Sequence, residues 1–282
     1  MKKSMFKPEP WLEITTVSRC VINCSYCPQK IFQQRYHGCE VLQFDKFKLA
    51  LSSIPNNVPI HFSGFSEPFL NPKCIDMIEY AHQKGHQIVL FSTLVGLKSQ
   101  DIERLKLCKV NLILHLPDHL GNAKIPTTKA HKEKIVKALE TLHTSTLYVM
   151  DENFISNERA GLSKGATKRN TQGWFYCEKL FAPQFVMLPN CDLVLCCMDY
   201  ALRHPVGNLL TQSWSEVIRS PEYERIKKDS YRLKGNTICR QCVWSSFEYR
   251  LTYSVKRLAQ TYYAKKLIKK YANKKAKSKI LS

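Results

Sequence analysis

The sequence predicts an α/β fold, a parallel sheet whose strands alternate with helices. Short apolar runs rich in Val, Ile, Leu and Phe recur through residues 11–150, and stretches of helical periodicity lie between them. That alternation marks repeated βα units. Residues 11–18, WLEITTVS, read as a first strand, followed by a helical stretch at 44–53 and a second strand at 58–63. Residues 72–85 open on Pro72, repeat apolar residues at helical spacing and close on Gly85, so they predict a helix. A third strand at 86–93, a short helix at 98–107 and a fourth strand at 109–116 follow. The last unit is a helix at 129–145 and a strand at 146–150.

Composition narrows the class further. A chain of 282 residues with 44% hydrophobic content can bury a sizeable core in one large domain or two modest ones. No run of about 18 apolar residues occurs, so no spanning helix is expected. The N-terminus lacks the apolar segment and cleavage site of a signal peptide, which places the expected location in the cytoplasm. There, 12 cysteines read as metal ligands or catalytic thiols rather than as disulfides. The net charge of +20 is uneven, because residues 251–282 hold ten Lys and Arg and no Asp or Glu. This basic tail is expected to be an amphipathic helix. It suits an anionic membrane surface, a phosphorylated ligand or nucleic acid, or packs one apolar stripe on the body.

The cysteines form two groups with a sparse middle. In the first, RCVINCSYCPQ sets Cys20, Cys24 and Cys27 at spacings of four and three, with Tyr26 just before the last. Three thiolates on one loop can hold three irons of a cubane cluster and leave the fourth iron without a protein ligand. A zinc site is the alternative, but structural zinc usually draws on two separated ligand pairs. The triplet resembles the signature of the radical S-adenosylmethionine (radical SAM) superfamily. The resemblance implies a 4Fe–4S cluster whose open iron binds the amino and carboxylate groups of SAM. An electron from the cluster then breaks a carbon–sulfur bond to give a 5′-deoxyadenosyl radical. It also implies a partial, shortened TIM-like βα barrel over residues 11–165, with the cysteine loop at a C-terminal strand end.

Three later segments resemble other superfamily motifs in the expected order. Gly64, Ser66, Glu67 and Pro68 match the G-x-E-P motif that receives the SAM amino group, with Ser66 in place of the usual second glycine. Ser92 and Thr93 occupy the place of a segment near the SAM ribose, with Leu94 where Asn is common. Arg159, in ERAGLS, matches an Arg-Ala-Gly segment and could form a bidentate pair with the SAM carboxylate or reach substrate oxygens. Tyr26 either shields the cluster or, as the resemblance implies, lies against the adenine.

The second group resembles the SPASM auxiliary-cluster region, called twitch in its shorter form. From Cys177 the chain runs to Leu195-Cys196-Cys197-Met198-Asp199, then Gly207-Asn208, Trp214 and Cys239-x-x-Cys242. Six cysteines follow residue 170, too few for two clusters, so one auxiliary 4Fe–4S cluster on Cys177, Cys196, Cys239 and Cys242 is expected. Cys197 is the alternative to Cys196, since adjacent strand residues face opposite ways; a zinc ribbon is the alternative to the cluster. This small hairpin and helix domain is placed at 174–250, before the tail at 251–282.

These features point to a radical SAM oxidoreductase that abstracts hydrogen from a substrate carbon and passes the second electron to the auxiliary cluster. Dehydrogenation of a small, carbohydrate-like substrate is favoured, because a first strand at residue 11 leaves no room for a peptide-recognition domain before it. A peptide maturase and a zinc-containing nucleic-acid-binding protein are the rivals. An external electron donor such as flavodoxin or ferredoxin is implied. Arg159 and Asp199 are the candidate catalytic residues, neither with a geometric warrant from sequence.

Overall fold

A single eight-stranded sheet runs through the molecule in the order β5-β4-β3-β2-β1-β6-β7-β8. The computed structural model describes residues 9–150, 158–167 and 169–245. The basic tail and residues 246–250 of the expected second domain lie outside them.

The first five strands are β1 (Trp11–Ile14), β2 (Ile60–Phe62), β3 (Ile88–Ser92), β4 (Asn111–Leu116) and β5 (His143–Val149). Each pairs in parallel with its neighbour; Leu12 lies beside Ile60, and Ile60 beside Ile88. The helices between them are α1 (Gln29–Arg35), α2 (Phe44–Ser52), α3 (Cys74–Gln83), α4 (Ile102–Leu107) and α5 (Lys129–Thr141). One strand face, with Leu12, Ile14, Ile60, Phe62, Leu90, Leu112 and Leu114, packs on Phe47, Met77, Ile78, Leu105 and Ala138 of the helices. Period-two alternation turns the residues between them to the other face. There Trp11 stacks on His61 at 4.9 Å, His61 approaches Phe91 at 5.9 Å and His115 approaches Tyr148 at 5.1 Å.

Two departures from the sequence expectation matter. Five described strands fall within residues 11–165, and the sixth, β6 (Gln184–Met187), comes from inside the expected second domain. It pairs in parallel with β1, Leu12 beside Phe185, and all four of its residues are buried. The hairpin of β7 (Asp192–Val194) and β8 (Pro205–Asn208) then continues the same sheet antiparallel from β6. Both cysteine groups therefore share one sheet. The C-terminal part is completed by α6 (Trp214–Val217), with a Ser213/Glu216 capping box, and α7 (Pro221–Asp229), capped by Ser220. The other departure is the end of α5 at Thr141, with β5 starting at His143 rather than at 146. Thr144 and Thr146 favour the pleated surface over the helix.

Candidate iron–sulfur centres and their surroundings

The three-cysteine loop leaves the C-terminal end of β1 and is held on two sides. Backbone N–H groups of Ser25 and Lys124 donate to Asn122 O and Ile22 O, at 2.7 and 2.9 Å, and the Ser25 hydroxyl donates to Asn122 Oδ1. Asn122 is set by Asp118, whose carboxylate accepts from the Asn122 and Ala123 amides, and by its own bond to Met150 O. Ile22 packs with Ala123, Ile125 and Met150, and Cys20, Cys24 and Tyr26 rest against that cluster. All three thiols are partly exposed. Burial, then the like charges of Cys27 and Cys20, push the Cys24 thiol up to about 12. Burial also raises the Cys20 thiol, which hydrogen-bonds to the backbone at Ile22 and Glu67.

The next strand ends carry the expected motif. Glu67 is buried. Its carboxylate accepts from the Ser92 hydroxyl at 2.6 Å and from the Thr93 amide and hydroxyl at 2.7 Å each, with a longer bond from the Phe69 amide. Two donors on each oxygen fill a carboxylate's acceptor sites. Glu67, Ser92 and Thr93 therefore tie the β2 loop to the end of β3. Burial raises the Glu67 pKa despite those donors. The Ser66 hydroxyl, by contrast, is buried without a hydrogen-bond partner. Gly64, at φ +67°, lets the loop close on β1, since a Cβ there would stand 2.2 Å from Thr15 Oγ1.

Arg159 links the two cysteine groups. Its guanidinium lies over the Tyr26 ring at 5.9 Å and the Tyr200 ring at 5.3 Å, and Nη1 donates to Cys197 O at 3.0 Å. Burial opposes its charge, but Tyr200, Cys197, Tyr26 and Cys27 outweigh it and hold the cation. Glu158, Arg159 and Ala160 all adopt positive φ, each a conformation L-residues avoid at a cost of roughly 1–2 kcal/mol. Tyr200 closes the link, its hydroxyl 3.7 Å from Cys27 Sγ.

The expected auxiliary set converges from three segments. Cys177, Cys196, Cys239 and Cys242 line one small cavity with Trp244 and Met198; Cys197 is not among its lining residues. Burial, then neighbouring thiols, hold Cys239 well above the ordinary thiol range and Cys242 at about 12. Four thiols in such surroundings become thiolates when a metal supplies positive charge. Their donor set fits an iron–sulfur cluster, as do the three thiols of the first loop.

Asp199 is fully buried, and its two oxygens accept from the Arg203 and His204 amides at 2.9 and 2.8 Å. It closes the turn after the cysteine pair. His204 serves the same frame: Nδ1 bonds Glu222, and Nε2 accepts from the Ile238 amide, fixing the loop that carries Cys239.

Sequence reasoning missed a polar row on the open face of the sheet. Glu13 of β1 accepts from Ser63 at 3.0 Å and from Trp11 at 3.4 Å. Lys179 places Nζ 5.0 Å over Trp11 and 4.0 Å from Cys197 Sγ. Burial lowers the His61 pKa to about 4. The one available signal was an acidic residue inside the apolar run WLEI. A cleft of about 670 Å³ at the N-terminal strand ends reaches Trp11 and His61, away from both cysteine groups.

Comparison with known proteins agrees with this geometry. A family model described as an iron–sulfur cluster-binding domain, SPASM, matches residues 177–243. No curated protein matches the chain in sequence. Among solved structures, BtrN in complex with AdoMet and 2-DOIA is similar at 15% identity and TM-score 0.62, over 84% of this chain and 93% of that one. The protein anSMEcpe with AdoMet and the Cp18Cys peptide is similar at 12% identity and TM-score 0.56, over 90% and 97%. Streptococcus suis SuiB bound to precursor peptide SuiA gives 13% and 0.55, over 83% and 70%. Residues 177–243 thus match the SPASM iron–sulfur cluster-binding family model, and they continue the sheet of a core whose fold is similar to that of these AdoMet-bound structures.

Proposed function

We propose that the protein is a radical SAM oxidoreductase that dehydrogenates a small, carbohydrate-like substrate. The observation that carries this reading is the bridge between the cysteine groups: Tyr200 reaches Cys27, and Arg159 spans Tyr26, Tyr200 and Cys197. With both clusters and SAM bound, the cofactors supply a hydrogen-abstracting radical at one site and an electron acceptor at the other.

The chain's own residues divide the remaining work. Cys20, Cys24 and Cys27 hold the first cluster, and Cys177, Cys196, Cys239 and Cys242 the second. The Gly64–Glu67 backbone and the Ser66 hydroxyl receive the SAM amino group. Ser92 and Thr93 hold that loop through Glu67. Arg159 meets the SAM carboxylate or a substrate oxygen, and Tyr26 meets the adenine. Glu13 stands on the open face, near Lys179 and Cys197, as a proton acceptor. Flavodoxin or ferredoxin would supply the electron.

A second reading, peptide modification, is favoured by the peptides held in the anSMEcpe and SuiB structures. One assay separates the two. Reduced, anaerobic protein is given SAM with candidate sugars, aminocyclitols and peptides, and 5′-deoxyadenosine is measured. A rise with a sugar or aminocyclitol together with a ketone product supports dehydrogenation. A rise confined to peptides supports the second reading, and no SAM cleavage under any condition contradicts both.

A further inference from the structure

Lys179 has a position that neither cysteine group explains. It follows Cys177 by two residues in the turn Glu178–Leu180, which is closed by the Leu180 amide donating to Cys177 O. Its own carbonyl is fixed by the Tyr223 hydroxyl at 2.9 Å. Lys179 is half-buried and is the single charged residue among those lining the Cys177, Cys196, Cys239 and Cys242 cavity. The ammonium sits 4.0 Å from Cys197 Sγ and over the Trp11 ring, with Glu13 among the anions facing it. Withdrawing a lysine from water is costly unless opposite charge meets it. In the described structure Glu13 is one carboxylate facing it, and four thiolates and a cluster would add the rest.

The potential of an iron–sulfur cluster follows its net charge, the hydrogen bonds to its sulfurs and its exposure. Reduction adds one negative charge, which a cation held beside the cavity, next to Cys197, stabilises. We propose that Lys179 is the potential-setting residue of the auxiliary cluster, raising its affinity for the electron that leaves the substrate radical. The proposal rests on the cluster assignment above, with Glu13 as the opposing charge that limits the effect.

The test is a potentiometric titration followed by electron paramagnetic resonance. It uses the full chain with Cys20→Ala, Cys24→Ala and Cys27→Ala, so that one cluster remains. At the midpoint potential of that background, Lys179→Met is expected to lower the ratio of reduced to oxidised cluster at least tenfold, a shift of about 59 mV for one electron. Lys179→Arg should stay within about twofold of the background, because it keeps the charge. Glu13→Gln should raise the ratio. A Lys179→Met chain with full iron and an unchanged ratio overturns the proposal. Should Lys179→Met load no cluster, the other two variants decide: an unchanged ratio in Glu13→Gln, or a tenfold fall in Lys179→Arg, overturns it. A background chain without iron or sulfide overturns the cluster assignment itself, and the inference with it. That result appears in metal analysis before any titration.

Discussion

Cys196 and Cys197 are neighbours in sequence with different surroundings. Cys196 faces the four-cysteine cavity, whereas Cys197 faces Lys179 and Glu13 and offers its carbonyl to Arg159. Cys196→Ser should therefore lose the auxiliary iron and Cys197→Ser should keep it, as read by iron analysis of the purified variants. The reverse pattern would move the ligand by one residue. Burial also gives the open face a pH signature. His61 and His115 have pKa values lowered to about 4 in the folded chain, His115 by burial and then by Arg159. Between that value and the ordinary 6.5 the unfolded chain binds protons that the folded chain does not, so stability rises with pH across this window. The urea midpoint should fall as pH drops from 6.5 toward 4, and His61→Phe should flatten the slope. An unchanged slope would show that His61 is not desolvated.

At the scale of elements, the close approach of β1 and the β2 loop depends on Gly64. Ala there meets Thr15 Oγ1 and keeps a positive φ, so Gly64→Ala should destabilise by about 1–2 kcal/mol or more. Because the Cys20 thiol leans on the backbone at Glu67, the same variant should also load less iron at the first loop. Denaturant unfolding and metal analysis check both. Most elements around that loop were legible, since β1 to β4 are short apolar runs and α3 carries Pro, helical spacing and a terminal Gly. The short α1 was not, because Phe32 is its one fully buried apolar residue and seven residues give little periodicity. Helix α7 was legible in principle, with Ser220, Pro221, acidic residues first and lysines last. Strand β6 was hidden for another reason: it is local in sequence to the second cysteine group but pairs with β1, and no local pattern carries a long-range pairing.

For the whole molecule, the continuous sheet explains why cysteines more than a hundred residues apart can serve one reaction. Their spacing made the two groups readable, because thiol chemistry at close intervals has few structural uses. The groups that join them were not readable. Tyr200, Lys179 and Glu13 are common residue types whose role depends on what the fold sets against them. The central claim is that the two groups hold separate clusters with separate tasks. It is tested most directly by iron content and reductive SAM cleavage in two full-length variants. The Cys20→Ala/Cys24→Ala/Cys27→Ala chain should keep about half of the wild-type iron and make no 5′-deoxyadenosine. The Cys239→Ala/Cys242→Ala chain should also keep about half, yet still cleave SAM. Undiminished 5′-deoxyadenosine from the first variant would contradict the account.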